Sequence, residues 1–374
     1  MAVRTETDVS EQTSAPTAPK VAVVYTTPES VLDDIARAMR LADYTQTLSL
    51  DAATLLKINI SWQHYYPACS TTPWQLEGVI KTLKADGYGE LIPTHNGTVV
   101  VDPHEGAINN KHTVVEDKYG LQSVYLDYPP VEWIGYKPKA KMLVLDDIFP
   151  EGIQIPEMFI GKNIVHMPTV KTHVFTTMTG AMKNAFGGLL NRKRHWTHSV
   201  IHETLVDLLA IQHEIHTGVF AVTDGTFAGD GPGPRAMRWH AKNVIIAGAD
   251  QVSVDAVAAR LMGFDPLSIG YIRIAHEMGL GIGDTDSIEV VGDDISGVNW
   301  RFKQNENTFA SRGQKLIYWG PLKPLENMLL RSPIAPWAFF ASNLYHNEYW
   351  LRLIGRRRIR AAMKTGWGKL FQSY

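Results

Sequence analysis

Two ammonium groups and an imidazole, those of Lys171, Lys183 and His173, stand among threonines, methionines and glycines in "TVKTHVFTTMTGAMKNAFGG" (169–188). The stretch is too polar for a core and too apolar for an ordinary loop. Ammonium groups near a small-residue turn either hold a carboxylate or phosphate, or become amines of lowered pKa once water is excluded. An imidazole beside them serves as acid, base or ligand. The glycines, with Asn184 beside them, would let backbone N–H groups approach an anion. The plainer alternative is two surface lysines and a loop histidine.

Three further stretches add candidates. In "NRKRHWTHSVIHETLVDLL", Arg192, Lys193 and Arg194 form a dense positive cluster followed by His195, His198 and His202. A helix starting near Thr197 would put His198 and His202 on one face, a spacing that holds a divalent metal or brackets a substrate, so His195, His198 and His202 are the candidate metal ligands. A solvated helix start explains the same residues without a metal, and cations there still favour an anionic ligand. In "TDGTFAGDGPGPRAMRWH", Asp224 takes the strand-end position usual for a catalytic or metal-binding carboxylate, and Gly231 and Gly233 belong to a rigid Gly-Pro turn that exposes its backbone. Upstream, "LLKINISWQHYYPAC" directs Lys57 and Asn59 toward the same region.

Positioning these groups requires a scaffold that gathers distant loops. Apolar runs recur at 21–25, 55–60, 98–101, 142–146, 163–167, 219–224, 243–248 and 287–291, mostly unbroken, as in strands covered on both faces. Helical patterns lie between several of them: Pro28 to Leu41, Pro73 to Asp86, Val200 to His216, Val252 to Met262 and Pro266 to Met278. The alternation predicts an α/β fold, a mainly parallel sheet flanked by helices, as one domain or two packed lobes over 21–295. Ligands of such sheets gather beyond the C-terminal ends of the strands.

Composition bounds the rest. With 374 residues, 45% hydrophobic and 20% charged, the chain is an ordinary globular one. Its single cysteine, Cys69, excludes an intramolecular disulfide or a Cys-ligated iron–sulfur cluster within the chain. Residues 1–20 read as a flexible leader. No apolar run reaches the roughly eighteen residues of a membrane span, so the expected compartment is the cytoplasm. The net charge of −2 conceals a basic tail: from Pro336 onward seven Lys/Arg stand against one Glu. Residues 296–374 therefore read as an aromatic, basic helical arm. Segment 336–374 could lie on anionic lipid, form a lid, or dock on the body; docking is favoured because the aromatics would otherwise face water. A nucleic-acid partner is not expected, since no recognition module accompanies the basic tail.

The motifs "KIN" with "TTP", "VKTH" with "TGAMKNAFGG", "DGTFAGDGPGP" and "AGADQVSVDAVAARLMGFDP" together resemble the domain-of-unknown-function family 362 over roughly residues 50–295. Some relatives in that family carry a ferredoxin-like cysteine cluster, which this chain lacks. A more distant similarity is to the nickel-pincer lactate racemase family, in which a histidine precedes the cofactor-bearing lysine by ten positions, as His173 precedes Lys183. That family's double glycine before the lysine is replaced here by Gly180-Ala181-Met182, so the resemblance implies shared ancestry without the nickel cofactor.

These readings converge on one expectation: an enzyme that binds a small anion and performs acid–base chemistry of the isomerase, racemase or lyase type. His173, Lys183, His195 and Asp224 would be catalytic. Lys57, Asn59, Lys171, Asn184, Arg192, Gly231 and Gly233 would bind the substrate. The alternative is a redox or cofactor-binding protein without its own iron–sulfur cluster, docking a membrane or partner through its basic tail.

Overall fold

The structure, a computed structural model, describes residues 18–98, 101–304, 306–330 and 343–374. Most of the expected leader therefore lies outside the described residues. The strands are β1 (Lys20–Tyr25), β2 (Thr54–Ile58), β3 (Leu91–His95), β4 (Val124–Tyr125), β5 (Trp133–Tyr136), β6 (Ile153–Pro156), β7 (Asn163–Met167), β8 (Thr169–His173), β9 (Thr177–Met178), β10 (Gly218–Asp230), β11 (Arg238–Ala241), β12 (Val244–Gly248) and β13 (Glu289–Gly292). Strands β5 and β6 pair with each other. The others form an 11-stranded sheet with the path β13-β1-β12-β10-β7-β2-β3-β4, to which β8, β9 and β11 attach. Along that path only β12 runs antiparallel to its neighbours.

The unbroken apolar runs become strands because both sheet faces are covered. Successive residues of β1 alternate between two cores: Val21 and Val23 join the helices Ile201–Ile215 and Gln251–Met262 on one face. Ala22 and Val24 join the helices Val31–Leu41 and Pro73–Ala85 on the other. This two-residue period is the pleat of a strand buried on both sides. Helix Pro73–Ala85 starts as its sequence predicts. Thr72 accepts from the Gln75 N–H and Gln75 returns the bond, with Pro73 in the first turn where a missing N–H costs nothing.

Four local expectations are corrected. "TVKTH", read as a loop, is the fully buried strand β8, and "LIPTH", not recognised as a strand, is β3. Pro93 is tolerated in β3 because β4 pairs only with Thr94 and His95. "MLVLD" is not a strand: the Asp207 carboxylate accepts the N–H groups of Leu143, Val144 and Leu145 and starts a helical turn at Leu145–Ile148. At 98–101 the described residues show only an isolated bridge, Thr98 to Val101.

The C-terminal arm is not a separate body in its described part. Trp350 packs on Trp62 and Tyr66, Trp367 on Trp74, and Phe371 stacks on Tyr65 at 3.9 Å. Arg358 donates to the Met237 carbonyl and Trp239 Nε1 to that of Arg358. These rings find in the body the apolar cover that water denies them.

Candidate functional site

Beyond the C-terminal ends of the parallel strands lies a cavity of about 280 Å³. Asn59 and Ser61 reach it from the segment after β2, and Asn96 and Thr98 from that after β3. His173 and Phe175 come from the end of β8, Gly233 and Arg235 from the turn after β10. Lys183 and Phe186 come from the short helix Ala181–Asn184 and the turn after it, and Arg194, His195 and His198 from the 3₁₀ helix Arg192–Val200. Thr308, Ser311 and Tyr318, at the start and along the helix Phe309–Tyr318, line it as well, as does His346. Among the described residues no aspartate or glutamate lines the cavity.

Lys183 owes its position to a device in its own motif. Gly180 has φ +117°, and a Cβ there would overlap the Asp255 carboxylate. Asp255 in turn accepts the N–H groups of Ala181 at 2.6 Å and Met182 at 3.2 Å, capping the turn that carries Lys183. The sequence places Asp255 in its own helix, where it would stabilise the dipole; there that task falls to Asp250, which accepts from Val252 and Ser253 N–H. Burial pushes the Asp255 carboxyl up to about 7 despite the two N–H donors. Asp255 is thus a positioning residue.

The Lys183 ammonium sits 4.9 Å from the centroid of the Phe186 ring and has no hydrogen bond or ion pair among the described residues. Burial lowers it to about 7, with Lys171 and Arg194 adding repulsion. Arg235 donates Nε–H to the Ser61 carbonyl at 3.0 Å and likewise has no carboxylate partner among the described residues. Arg194 is committed elsewhere, to the carbonyls of Leu190, Asn191 and Gly97, with Asp127 at 4.0 Å.

Two imidazoles are held in opposite tautomers. The Phe175 and Thr176 N–H groups donate to His173 Nδ1, so its proton is assigned to Nε2. Burial and the neighbouring cations hold this ring far below the usual histidine range, hence neutral. His198 Nδ1–H donates to the His195 carbonyl at 2.9 Å, which leaves the lone pair on Nε2. Its ring stacks on Tyr318, and burial drives its pKa down to about 3.

The structure brings His173, Lys183, His195, Asn59, Asn184 and Gly233 together around the cavity and sets the other candidates apart. Asp224 does not reach it. Strand β10 continues six residues past Asp224, through Gly225 and Gly229, where Val244 and Met237 leave no room for a side chain. Its carboxylate is instead buried between Thr72 Oγ1 at 2.5 Å, Trp74 Nε1 at 3.1 Å and Thr226 N–H at 2.6 Å. Lys171 is fully buried outside the cavity, its Nζ donating to the Cys69 carbonyl, Thr169 Oγ1 and Ser61 Oγ. Lys57 lies behind the wall, bonded to Ile58 O and Asn96 Oδ1 at 2.7 Å each. Gly231 is not a lining residue but takes φ +105° in the turn. The Arg192 side chain lies outside the described residues.

The proposed histidine face does not form either. The 3₁₀ helix ends at Val200, whose φ of −129° separates it from helix Ile201–Ile215, so His198 and His202 do not share the i, i+4 face of one helix. His202 Nδ1 accepts the Tyr271 N–H at 3.1 Å and its ring stacks on Tyr271. Among the described residues no three His, Cys, Asp or Glu come together to hold a metal ion.

Sequence reasoning missed Arg235, Asn96 and the residues from 308–318. Arg235 directly follows Gly-Pro-Gly-Pro, a signal that was present; Asn96 follows a strand disguised by Pro93; nothing local links 308–318 to the site.

Comparison with known proteins adds a family. The family model described as "Domain of unknown function (DUF362)" matches residues 54–260. The chain is also similar to "Thylakoid-associated protein sll1697" of Synechocystis sp. (strain ATCC 27184 / PCC 6803 / Kazusa), 26% identical over 163 residues, which cover 41% of this chain and 48% of that protein. The match thus spans about half the length of the curated relative. No solved structure matches.

Proposed function

The chain belongs to the DUF362 family, whose description names no reaction, and on the geometry of the cavity we propose that it is an enzyme acting on a small carboxylate anion by acid–base chemistry of the isomerase, racemase or lyase type. One observation carries this reading: a cavity with no acidic lining residue among those described is lined by Lys183 and Arg235, neither of which is ion-paired among the described residues. Cations held out of bulk water cost free energy unless an anion completes them.

In this proposal Lys183 and Arg235 hold the carboxylate. His198 Nε2 removes a proton from the adjacent carbon, and the C–H electron pair moves onto the carboxylate or a neighbouring carbonyl oxygen. His173 donates its Nε2–H to that oxygen as a neutral electrophile. The proton then returns to another face or carbon, or a β-substituent leaves with the electron pair. Burial is the largest cause of the low His198 basicity; a bound carboxylate offsets the repulsion that Lys183 and Arg194 add to it, and so restores part of that basicity.

The test is deuterium wash-in. A panel of carboxylates with a C–H next to the carboxylate or to a carbonyl is incubated with the protein in D₂O and read by proton NMR. Exchange into at least one member is expected, falling about 10²-fold or more in His198→Gln while anion binding persists. Exchange unaffected by His198→Gln would remove this residue as the base, and no exchange into any member would count against proton abstraction.

A second, narrower proposal concerns location. Among the described residues no helix is long and apolar enough to cross a membrane. The arm nonetheless exposes Tyr349 (56%), Leu353 (65%) and Ile354 beside exposed Arg352, Arg356 and Arg357. Apolar side chains interleaved with arginines suit the surface of an anionic bilayer, and the thylakoid association in the relative's name supports the same reading. Flotation with phosphatidylglycerol vesicles, absent with phosphatidylcholine and lost in Arg356→Glu/Arg357→Glu, is the expected outcome. Equal flotation by the charge-reversed protein overturns it.

A further inference from the structure

We infer that the guest of this cavity is a carboxylate bearing a single aromatic ring, attached at or beyond the carbon that loses its proton, and not a phosphate ester; benzoate, which has no such C–H, is its unreactive analogue. This deepens the anion-binding reading above and rests on it. Phosphate sites are built mainly from clustered backbone N–H groups at helix starts and in tight turns. Several donors of that kind beside this cavity, including those of the turn that carries Lys183 and of the Gly-Pro turn, are already committed. Ala181 and Met182 N–H go to Asp255, Gly233 N–H goes to the Gly231 carbonyl at 2.8 Å, and Pro232 and Pro234 have none. At the start of helix Phe309–Tyr318, the Thr308 and Ser311 N–H groups are taken by each other's hydroxyls, at 2.9 and 3.0 Å.

What remains is a set of side-chain donors: Lys183, the Arg235 guanidinium and the His173 Nε2–H. Two buried polar atoms of lining residues, Asn59 Nδ2 and Thr179 Oγ1, have no hydrogen-bond partner among the described residues. A guanidinium fork and a few point donors match the two coplanar oxygens of a carboxylate.

The rest of the wall is made of rings. Phe175 and Phe186 meet the His198 ring edge-on, at 5.7 Å and 73° and at 5.4 Å and 83°, and Phe175 meets Tyr318 at 5.6 Å and 80°. Because Lys183 Nζ lies over the Phe186 ring, a carboxylate bound to it places its substituent along this aromatic wall. Edge-on and offset ring pairs stabilise beyond the area they bury, a gain of up to about tenfold in affinity that an aliphatic substituent of the same size lacks. The volume of about 280 Å³ lies just below the roughly 300–1,000 Å³ of drug-sized sites, which suits one ring.

Calorimetric titration of the full chain with benzoate, cyclohexanecarboxylate, acetate, phenyl phosphate and benzamide tests this. Benzoate is expected to bind about tenfold or more tighter than each of the others. Phe186→Leu and, independently, Phe175→Leu should lower benzoate affinity several-fold more than acetate affinity. Acetate, phenyl phosphate or cyclohexanecarboxylate binding as tightly as benzoate overturns the aromatic carboxylate while leaving the anion reading in place. Benzamide matching benzoate, or no anion of the panel binding at all, overturns both.

Discussion

Lys183→Ala is expected to lower turnover by about 10²–10³-fold, roughly 2.7–4 kcal/mol of barrier, without loss of fold. The ammonium makes no hydrogen bond among the described residues, so its removal leaves no partner unsatisfied. Burial lowers its pKa to about 7, below its unfolded value, which means that the folded state disfavours the charge. That penalty is fully present below the folded pKa and is relieved progressively as pH rises from there toward the unfolded value of 10.5, because over that span the unfolded chain binds the extra proton. The alanine variant should therefore be no less stable than the wild type at pH 6. Anion binding has the opposite dependence, since it needs the protonated amine. Affinity should fall by up to about tenfold per pH unit above 7, and Lys183→Arg should extend binding to higher pH. Of the other cations near it, the guanidinium groups of Arg194 and Arg235 do not deprotonate in this range, and Lys171, lowered to about 8, acts from behind the wall in the same direction. Titration of benzoate between pH 6 and 9 reads the profile. A flat wild-type profile, or full turnover in Lys183→Ala, would remove Lys183 from the mechanism.

Gly180→Ala should destabilise the protein by about 2–6 kcal/mol. Part of this is backbone strain, since φ +117° with ψ −177° is a region that side chains rarely adopt, at roughly 1–3 kcal/mol. The rest comes from pushing the Asp255 carboxylate off the Ala181 and Met182 N–H groups, again roughly 1–3 kcal/mol. The same displacement frees the turn that presents Lys183, so anion affinity should drop with stability. Urea denaturation measures the first effect and benzoate titration the second. In Gly180→Ala/Asp255→Ala the overlap disappears and only the strain and the lost cap remain, so the two changes should be less than additive. A Gly180→Ala protein within about 1 kcal/mol of wild type would show that Asp255 does not fix this turn.

Much of the scaffold was legible because its signals are local. The unbroken runs of β1, β2, β7 and β12 and the helices Pro73–Ala85, Ile201–Ile215 and Gln251–Met262 lie close to their predicted places. The end of β10 was misplaced because glycines normally mark a turn. Gly225 and Gly229 serve instead to let Val244 and Met237 approach the strand, a fact about neighbours distant in sequence. Asp224 was assigned to a strand end for that reason, and its pairing with Thr72 and Trp74 depends on a helix some 150 residues upstream.

The roles of individual cations and histidines divide in the same way. Lys171 and Lys183 look alike in the motif, yet one is saturated by three oxygens and the other lines the cavity with none among the described residues. His198 and His202 share a helical spacing that a single backbone break at Val200 undoes. Residue types, their clustering and the strand periodicity follow from chemistry within a few positions, and these the sequence alone determined: an α/β sheet with basic and imidazole groups beyond its strand ends. Which of those groups meet one guest, and which are spent on the fold, depends on long-range packing and on the saturation of each donor and acceptor. Only the tertiary structure decided that, because a hydrogen-bond partner far away in the chain has no signature in the local sequence.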